Sequence, residues 1–135
     1  MEKSLVLIKP DGVEKRLIGK IIKMYEEDGL KISELKMLKV SKELGMKHYE
    51  EHKGKEFFDK LINYITRGPV CAMILEGENA INRVRKINGA TNPKVAEKGT
   101  IRYLYADNMT ENCVHASDSN ESAIRECELW FNEYK

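Results

Sequence analysis

The segment Asn-Cys-Val-His-Ala-Ser-Asp-Ser at residues 112–119 sets His115 between a short apolar run and the start of a helix. An imidazole is nucleophilic while neutral, and it can be neutral at cellular pH. The helix start offers free backbone N–H groups and the positive end of a dipole, which suit an anion. A nucleophile beside an anion site points to phosphoryl transfer through the histidine. A histidine at a strand end is also an ordinary polar residue, so its neighbours carry the weight. Glu126 lies at the edge of an apolar stripe that includes Ala123 and Trp130. A carboxylate there is costly without a partner, and orienting an imidazole is one use for it. A solvated glutamate would show the same spacing.

Lys9 follows an apolar run and opens the turn-like Lys9-Pro10-Asp11-Gly12. A surface lysine fits that position, and so does a phosphate partner at the end of a buried strand. Arg85 and Arg102 bracket Asn88-Gly89-Ala90-Thr91-Asn92-Pro93. Each is unremarkable alone; together their planar forks could clamp phosphates from two sides, with the Thr91 hydroxyl as a further donor. Phe57 offers a face for a base, although an aromatic at helical spacing is more often core. His48 and His52 stand four apart with no third ligand in pattern, so they read as surface residues. No Gly-x-x-x-x-Gly-Lys-Ser/Thr loop is present, which argues against a P-loop enzyme.

The elements that must position these groups follow from periodicity. Leu5-Val6-Leu7-Ile8 and residues 70–75 are continuous apolar runs, the mark of buried central strands. Leu17, Ile18, Ile21, Ile22 and Tyr25 recur at helical spacing up to Asp28-Gly29. Residues 30–40 alternate with two phase slips, which predicts a strand with a bulge or a bend. Ser41 suits the N-cap of a short helix to about Tyr49. Phe57, Phe58, Leu61, Ile62 and Ile65 mark a helix that Gly68-Pro69 stops, and Ala80, Ile81, Val84 and Ile87 mark another. Residues 88–111 lack periodicity and read as an irregular, functional stretch. Cys113-Val114-His115 has strand character. Asp118 with Glu121 fits a capping pair for a last helix carrying Ala123, Cys127, Trp130 and Phe131. The order predicts an α+β fold in which helices pack on one face of a small, mostly antiparallel sheet of the split β-α-β kind.

Composition narrows the class. The 135 residues form one domain, 1–135, with 41% hydrophobic and 33% charged residues, as in a soluble globular protein. A net charge of +1 argues against a general nucleic-acid surface and leaves room for a local anion pocket. Three cysteines with no Cys-x-x-Cys pair argue against a disulfide framework or a zinc site, and a reducing cytoplasm fits. Neither a signal peptide nor a membrane span is expected.

The chain closely resembles nucleoside diphosphate kinases from end to end. The resemblance rests on Lys9-Pro10-Asp11-Gly12-Val13, His48-Tyr49, Phe57-Phe58, Gly68-Pro69-Val70, Gly89-Ala90-Thr91-Asn92-Pro93, Gly99-Thr100-Ile101-Arg102, Asn112 with His115-Ala116-Ser117-Asp118-Ser119, and Leu129-Trp130-Phe131. It implies a ferredoxin-like four-stranded antiparallel sheet. It also implies ping-pong transfer of the terminal phosphoryl of a nucleoside triphosphate, typically ATP, to His115 Nδ1 and then to a diphosphate, maintaining NTP and dNTP pools. By the same resemblance Glu126 orients the ring, Ser117 supports that glutamate and Tyr49 lies beside the histidine. Lys9 and Asn112 contact the ribose and the transferring phosphate. Arg85, Thr91 and Arg102 hold the distal phosphates. Phe57 stacks on the base beside Leu61, with broad base tolerance. Mg2+ is held mainly by the nucleotide, no protein ligand set being implied. The implied partners are nucleotides and further copies of the chain, a hexamer being favoured over a tetramer, without nucleic acid or membrane.

Three segments depart from the family pattern. Ala116 stands where glycine is usual, and a left-handed backbone there would cost alanine roughly 1–2 kcal/mol. Tyr103-Leu104-Tyr105 replaces Gly-Asp-aromatic, and Thr110-Glu111 replaces Gly-Arg, so Glu111 adds negative charge near an anion site. The carboxyl end is short, so contacts made there by longer relatives are expected to be missing.

Overall fold

In the computed structural model, which describes residues 1–131, the apolar run at residues 5–8 lies in β1 (Glu2–Ile8) and is wholly shielded from solvent. β1 pairs antiparallel with β3 (Pro69–Gly77) on one side and β4 (Val114–Ala116) on the other. β2 (Lys31–Lys39) pairs antiparallel with β3, giving the order β2-β3-β1-β4. The expected bulge is one register shift between Ile32 and Glu34. The antiparallel α+β fold is as the sequence implied. The carboxyl-terminal contacts expected to be missing involve residues 132–135, outside the described residues.

Helices cover both faces of the sheet, not one. Successive strand residues point to opposite faces. Val6, Ile8 and Met73 therefore pack with Ile21 and Tyr25 of α2 (Ile18–Glu27) and Val84 of α5 (Ala80–Asn88). Leu5, Leu7 and Ile74 pack with Ile62 and Ile65 of α4 (Phe58–Ile65) and Trp130 of α7 (Asn120–Trp130). A continuous apolar strand has this two-sided burial as its cause.

Three local expectations change. Pro10 begins a short helix, α1 (Pro10–Glu14), with Lys9 at its N-cap, where a turn was expected; proline's fixed φ and missing N–H suit a first helical turn. The stretch 88–111 contains α6 (Ile101–Tyr105), capped by the Thr100 hydroxyl, which accepts from Tyr103 N–H. Five residues are too few to display a helical period. Ser119, and not Asp118, caps α7, its hydroxyl accepting from Ser122 N–H at 3.1 Å. Ser41 caps α3 (Lys42–His48) as expected, and a 3-10 turn, Glu50–His52, follows.

Candidate active site

β4 places His115 opposite Leu7 of the central strand, at the edge of a cleft of about 740 Å³. Its Nε2 lies 3.1 Å from Glu126 Oε1, and the Ser117 hydroxyl donates to the same oxygen at 2.8 Å. Ser117 is itself fixed, accepting from Leu5 N–H at 3.0 Å. Burial pushes the Glu126 carboxyl up, but the hydrogen bonds from His115 and Ser117 and the charges of His115 and Arg125 outweigh it and hold the group below its ordinary range. An ionised carboxylate only accepts, so the His115 nitrogen facing Glu126 carries a proton, and in the neutral form of the ring the lone pair sits on Nδ1.

Lys9, Arg85, Thr91, Arg102, Asn112, Tyr49 and Leu61 line the same cleft as His115 and Glu126. Lys9 Nζ donates to Asn112 Oδ1 at 2.9 Å, and the Asn112 amide donates to the carbonyls of Met109 and Thr91 at 3.0 and 3.3 Å. Burial, then the Arg102 charge, pull the Lys9 ammonium down to about 8. Arg102 donates to the carbonyls of Gly89, Val114 and Asn112 at 2.8, 2.6 and 3.3 Å. Guanidinium has five N–H groups, so two remain for a ligand. Gly89 has φ +86°, and a Cβ there would sit 2.4 Å from Thr100 Oγ1, so only glycine brings that carbonyl to Arg102. Arg85 is exposed in the last turn of α5. Phe57 precedes α4 and is 44% exposed, so it is not the core residue its spacing predicts. It does not line the cleft directly; its ring lies 5.3 Å from that of His52, which does.

His48 and His52 are not the surface pair that sequence reading predicts. His48 is 4% exposed, its ring 4.6 Å from His115 and 4.7 Å from Tyr49. Its Nδ1 accepts from the Trp130 indole at 3.1 Å. Burial first, then the charges of His115, Lys9 and Arg125, keep His48 far below its ordinary range and neutral. His48, His115 and Glu126 bring ligand-type atoms within 4.8 Å of one another. A metal on His48 Nε2 would move its proton to Nδ1, against the indole N–H, so His48 is held as the acceptor of Trp130 while Glu126 bonds His115. Tyr49 is also buried, and its hydroxyl has no partner among the described residues.

The departures resolve physically. Ala116 pairs with Val6 inside β4 and is not among the non-glycine residues with positive φ, so alanine carries no left-handed cost. The strained residue is Cys113, at φ +78°. Glu111 is not a free negative charge, because Arg67 holds it at 3.1 Å while also bonding Glu14. Tyr103 and Leu104 present half-exposed side chains on α6, and Tyr105 packs against the core.

The model of the nucleoside diphosphate kinase family matches residues 2–135. The nucleoside diphosphate kinase of Clostridium perfringens is 62% identical over 131 residues, covering 97% of this chain and 92% of the relative. That of Methanocaldococcus jannaschii is 52% identical, covering 98% and 94%. Among solved structures, a nucleoside diphosphate kinase family protein from Babesia bovis superposes with a TM-score of 0.95 at 44% identity, covering 98% of this chain and 90% of that one. A halophilic nucleoside diphosphate kinase from Halobacterium salinarum in complex with CDP does so with a TM-score of 0.94 at 42% identity, covering 97% and 88%.

Proposed function

Because this chain belongs to the nucleoside diphosphate kinase family, an enzyme family that transfers phosphoryl groups between nucleoside tri- and diphosphates, we propose that it does so by a ping-pong mechanism through a phosphohistidine on His115. The carrying observation is the Ser117–Glu126–His115 chain of hydrogen bonds, which occupies Nε2 and leaves Nδ1 to react. In the first half-reaction Nδ1 forms a bond to the terminal phosphorus and the bond to the bridging oxygen breaks, so the diphosphate leaves. In the second, the acceptor's terminal oxygen takes the phosphoryl and the P–N bond breaks. Lys9, Arg85 and Arg102 stabilise charge on the transferring and distal phosphates, with Thr91 and Asn112 as neutral donors, and Tyr49 closes the wall beside the histidine pair. One phosphoanhydride is exchanged for another, so positioning and charge stabilisation suffice. The same exchange suits the upkeep of NTP and dNTP pools.

Mg2+ fits this cleft as a companion of the nucleotide. Lys9, Arg85 and Arg102 cannot ligate a cation. Asp118, on the cleft wall, is held below its ordinary range by hydrogen bonds from Ser122 and Ser119, and offers one oxygen of the kind magnesium accepts. Magnesium when bound neutralises charge on the phosphate oxygens. The decisive test is to incubate the protein with γ-labelled ATP and magnesium, then add UDP or GDP. An acid-labile label that the diphosphate removes as a new triphosphate is expected. A wild-type protein that takes up no label sinks the proposal.

Broad base tolerance follows from Phe57. A ring at the surface beside the cleft can take any base, because every base has a π-face. Phe57→Ala should raise KM about tenfold for purine and pyrimidine nucleotides alike, within the roughly 1–3 kcal/mol that stacking contributes. Steady-state kinetics with four diphosphates would show it, and a loss confined to one base would overturn the reading.

We further propose a homo-oligomer. The edge strand β2 exposes Leu35 and Met37, and α6 exposes Tyr103 and Leu104. A two-fold pairing across β2 combined with a three-membered ring through α6 gives a hexamer. Light scattering on the eluting protein should report six times the 15.6 kDa chain, and a monomer would refute it. Among the described residues no helix is long and apolar enough to cross a membrane. Cys71, Cys113 and Cys127 are free, which suits a reducing cytoplasm, testable by fractionation.

A further inference from the structure

We propose that the Asp11 carboxylate is the positioning group that holds Asn112 and His115 in register with Lys9. The inference rests on the reading of Lys9, Asn112 and His115 as the groups of phosphoryl transfer. Asp11 is the second residue of α1 and is 2% exposed. One carboxylate oxygen accepts from the Tyr64 hydroxyl of α4; the other accepts from Cys113 N–H at 3.0 Å. Cys113 is the strained residue of the site. Val114 N–H reaches back to the Asn112 carbonyl at 2.9 Å around it, closing a three-residue turn at φ +78°. Few non-glycine residues adopt that conformation, and it persists only where the surroundings over-determine it.

Here the surroundings are α1. Lys9 N–H donates to the Cys113 carbonyl at 2.8 Å, so the start of α1 grips the acceptor of Cys113 and Asp11 grips its donor. Gly12 allows the approach: a Cβ there would stand 2.8 Å from Ile8 Cγ2 and 3.0 Å from Cys113 Sγ. The turn separates Asn112, whose side chain meets Lys9, from His115 in β4. Rotating it moves both groups relative to the amine. The carboxylate thus sets a geometry that Lys9, Asn112 and His115 share without itself facing the phosphates.

Charge and geometry separate cleanly by substitution. A hydroxyl both donates and accepts. Asp11→Asn can therefore accept from Cys113 N–H and donate to Tyr64, keeping the turn without the charge. Asp11→Ala keeps neither. The groups around the Lys9 ammonium are Arg102 of α6, Asp11 of α1, the Cys113 thiol, the Asn112 amide, the Tyr64 ring at 5.6 Å and, from α3, the neutral His48. Asp11 opposes the lowering by burial and Arg102, so its neutralisation lets Lys9 lose its proton at lower pH.

The test is steady-state transfer from triphosphate to diphosphate against pH for wild type, D11N and D11A, with circular dichroism to establish folding. For folded D11A we expect kcat to fall on the order of 100-fold with KM little changed, the cost of a misplacement of about 1 Å. For D11N we expect kcat near neutrality within about tenfold of wild type, and the alkaline limb of kcat/KM moved to lower pH. A folded D11A with wild-type kcat overturns the inference, even if its melting temperature drops. Should D11A not fold, Asp11→Ser, too short to reach both Tyr64 and Cys113 N–H, takes its place, and a folded D11S with wild-type kcat overturns it. An inactive wild type would instead sink the proposed function.

Discussion

His115→Ala is expected to lose phosphoryl transfer by a factor on the order of 10⁵–10⁶, the scale of nucleophile deletion in covalent catalysis, and to take up no acid-labile label from γ-labelled ATP. The reasoning is local. Glu126 bonds His115 Nε2 and Ser117 through its Oε1, and the imidazole beside His115 in the site, that of His48, cannot take the place of the lost one. His48 stands 4.6 Å away, but its Nδ1 is taken by the Trp130 indole, so its neutral ring presents a proton and not a lone pair on Nε2. Nucleotide affinity should survive within a few-fold, because Lys9, Asn112 and Arg102 bond one another and the backbone without using His115. Isothermal titration with a diphosphate and a filter-binding label assay separate the two quantities. A label that persists on His115→Ala would place the nucleophile elsewhere. Lost binding together with lost label would make His115 a structural member of the site.

The contrast between His115 and His48 shows what was legible in the sequence. His115 could be singled out because its partners are local: Ser117 is two residues on, and Glu126 lies in the very next helix. His48 could not, because its burial depends on Trp130, 82 residues away in the chain. Asp11 was hidden in the same manner. Its residue type and its proline neighbour read as turn chemistry, while its partners Tyr64 and Cys113 lie 53 and 102 residues downstream. The central strands were legible because burial on both faces removes alternation, yet the same reading placed the helices on one face. Ala116 illustrates a different limit. A glycine replaced in a pattern flags a backbone demand, but only the φ angles show that the demand falls on Cys113.

Arg102→Lys should be the most damaging of the conservative changes, in two currencies at once. Arg102 reaches three backbone carbonyls from three different nitrogens: Nε to Asn112, Nη1 to Gly89 and Nη2 to Val114. These carbonyls belong to the end of α5, the residue before the Cys113 turn and the start of β4. An ammonium gathers its donors on one atom and cannot match that spread. A lysine that keeps one of the three leaves two carbonyls bare at about 1–3 kcal/mol each, so the melting temperature should fall by roughly 10 °C or more for a chain of this size. The two N–H groups that remain for phosphate are lost from their fixed plane as well, and kcat/KM should drop about 10²–10³-fold, comparable to losing a preorganised charge-stabilising donor. Arg85 supplies the control. It is exposed at the last turn of α5 and makes no hydrogen bond to the described residues, so Arg85→Ala should lower kcat/KM while leaving the melting temperature within about 2 °C, the range of a surface substitution within ±0.5 kcal/mol. Calorimetry and steady-state kinetics on the two variants test the division directly. If Arg102→Lys melts like wild type, its carbonyl contacts do not brace the cleft; if both variants lose stability equally, the two arginines form one structural unit and the separate roles assigned to them are wrong.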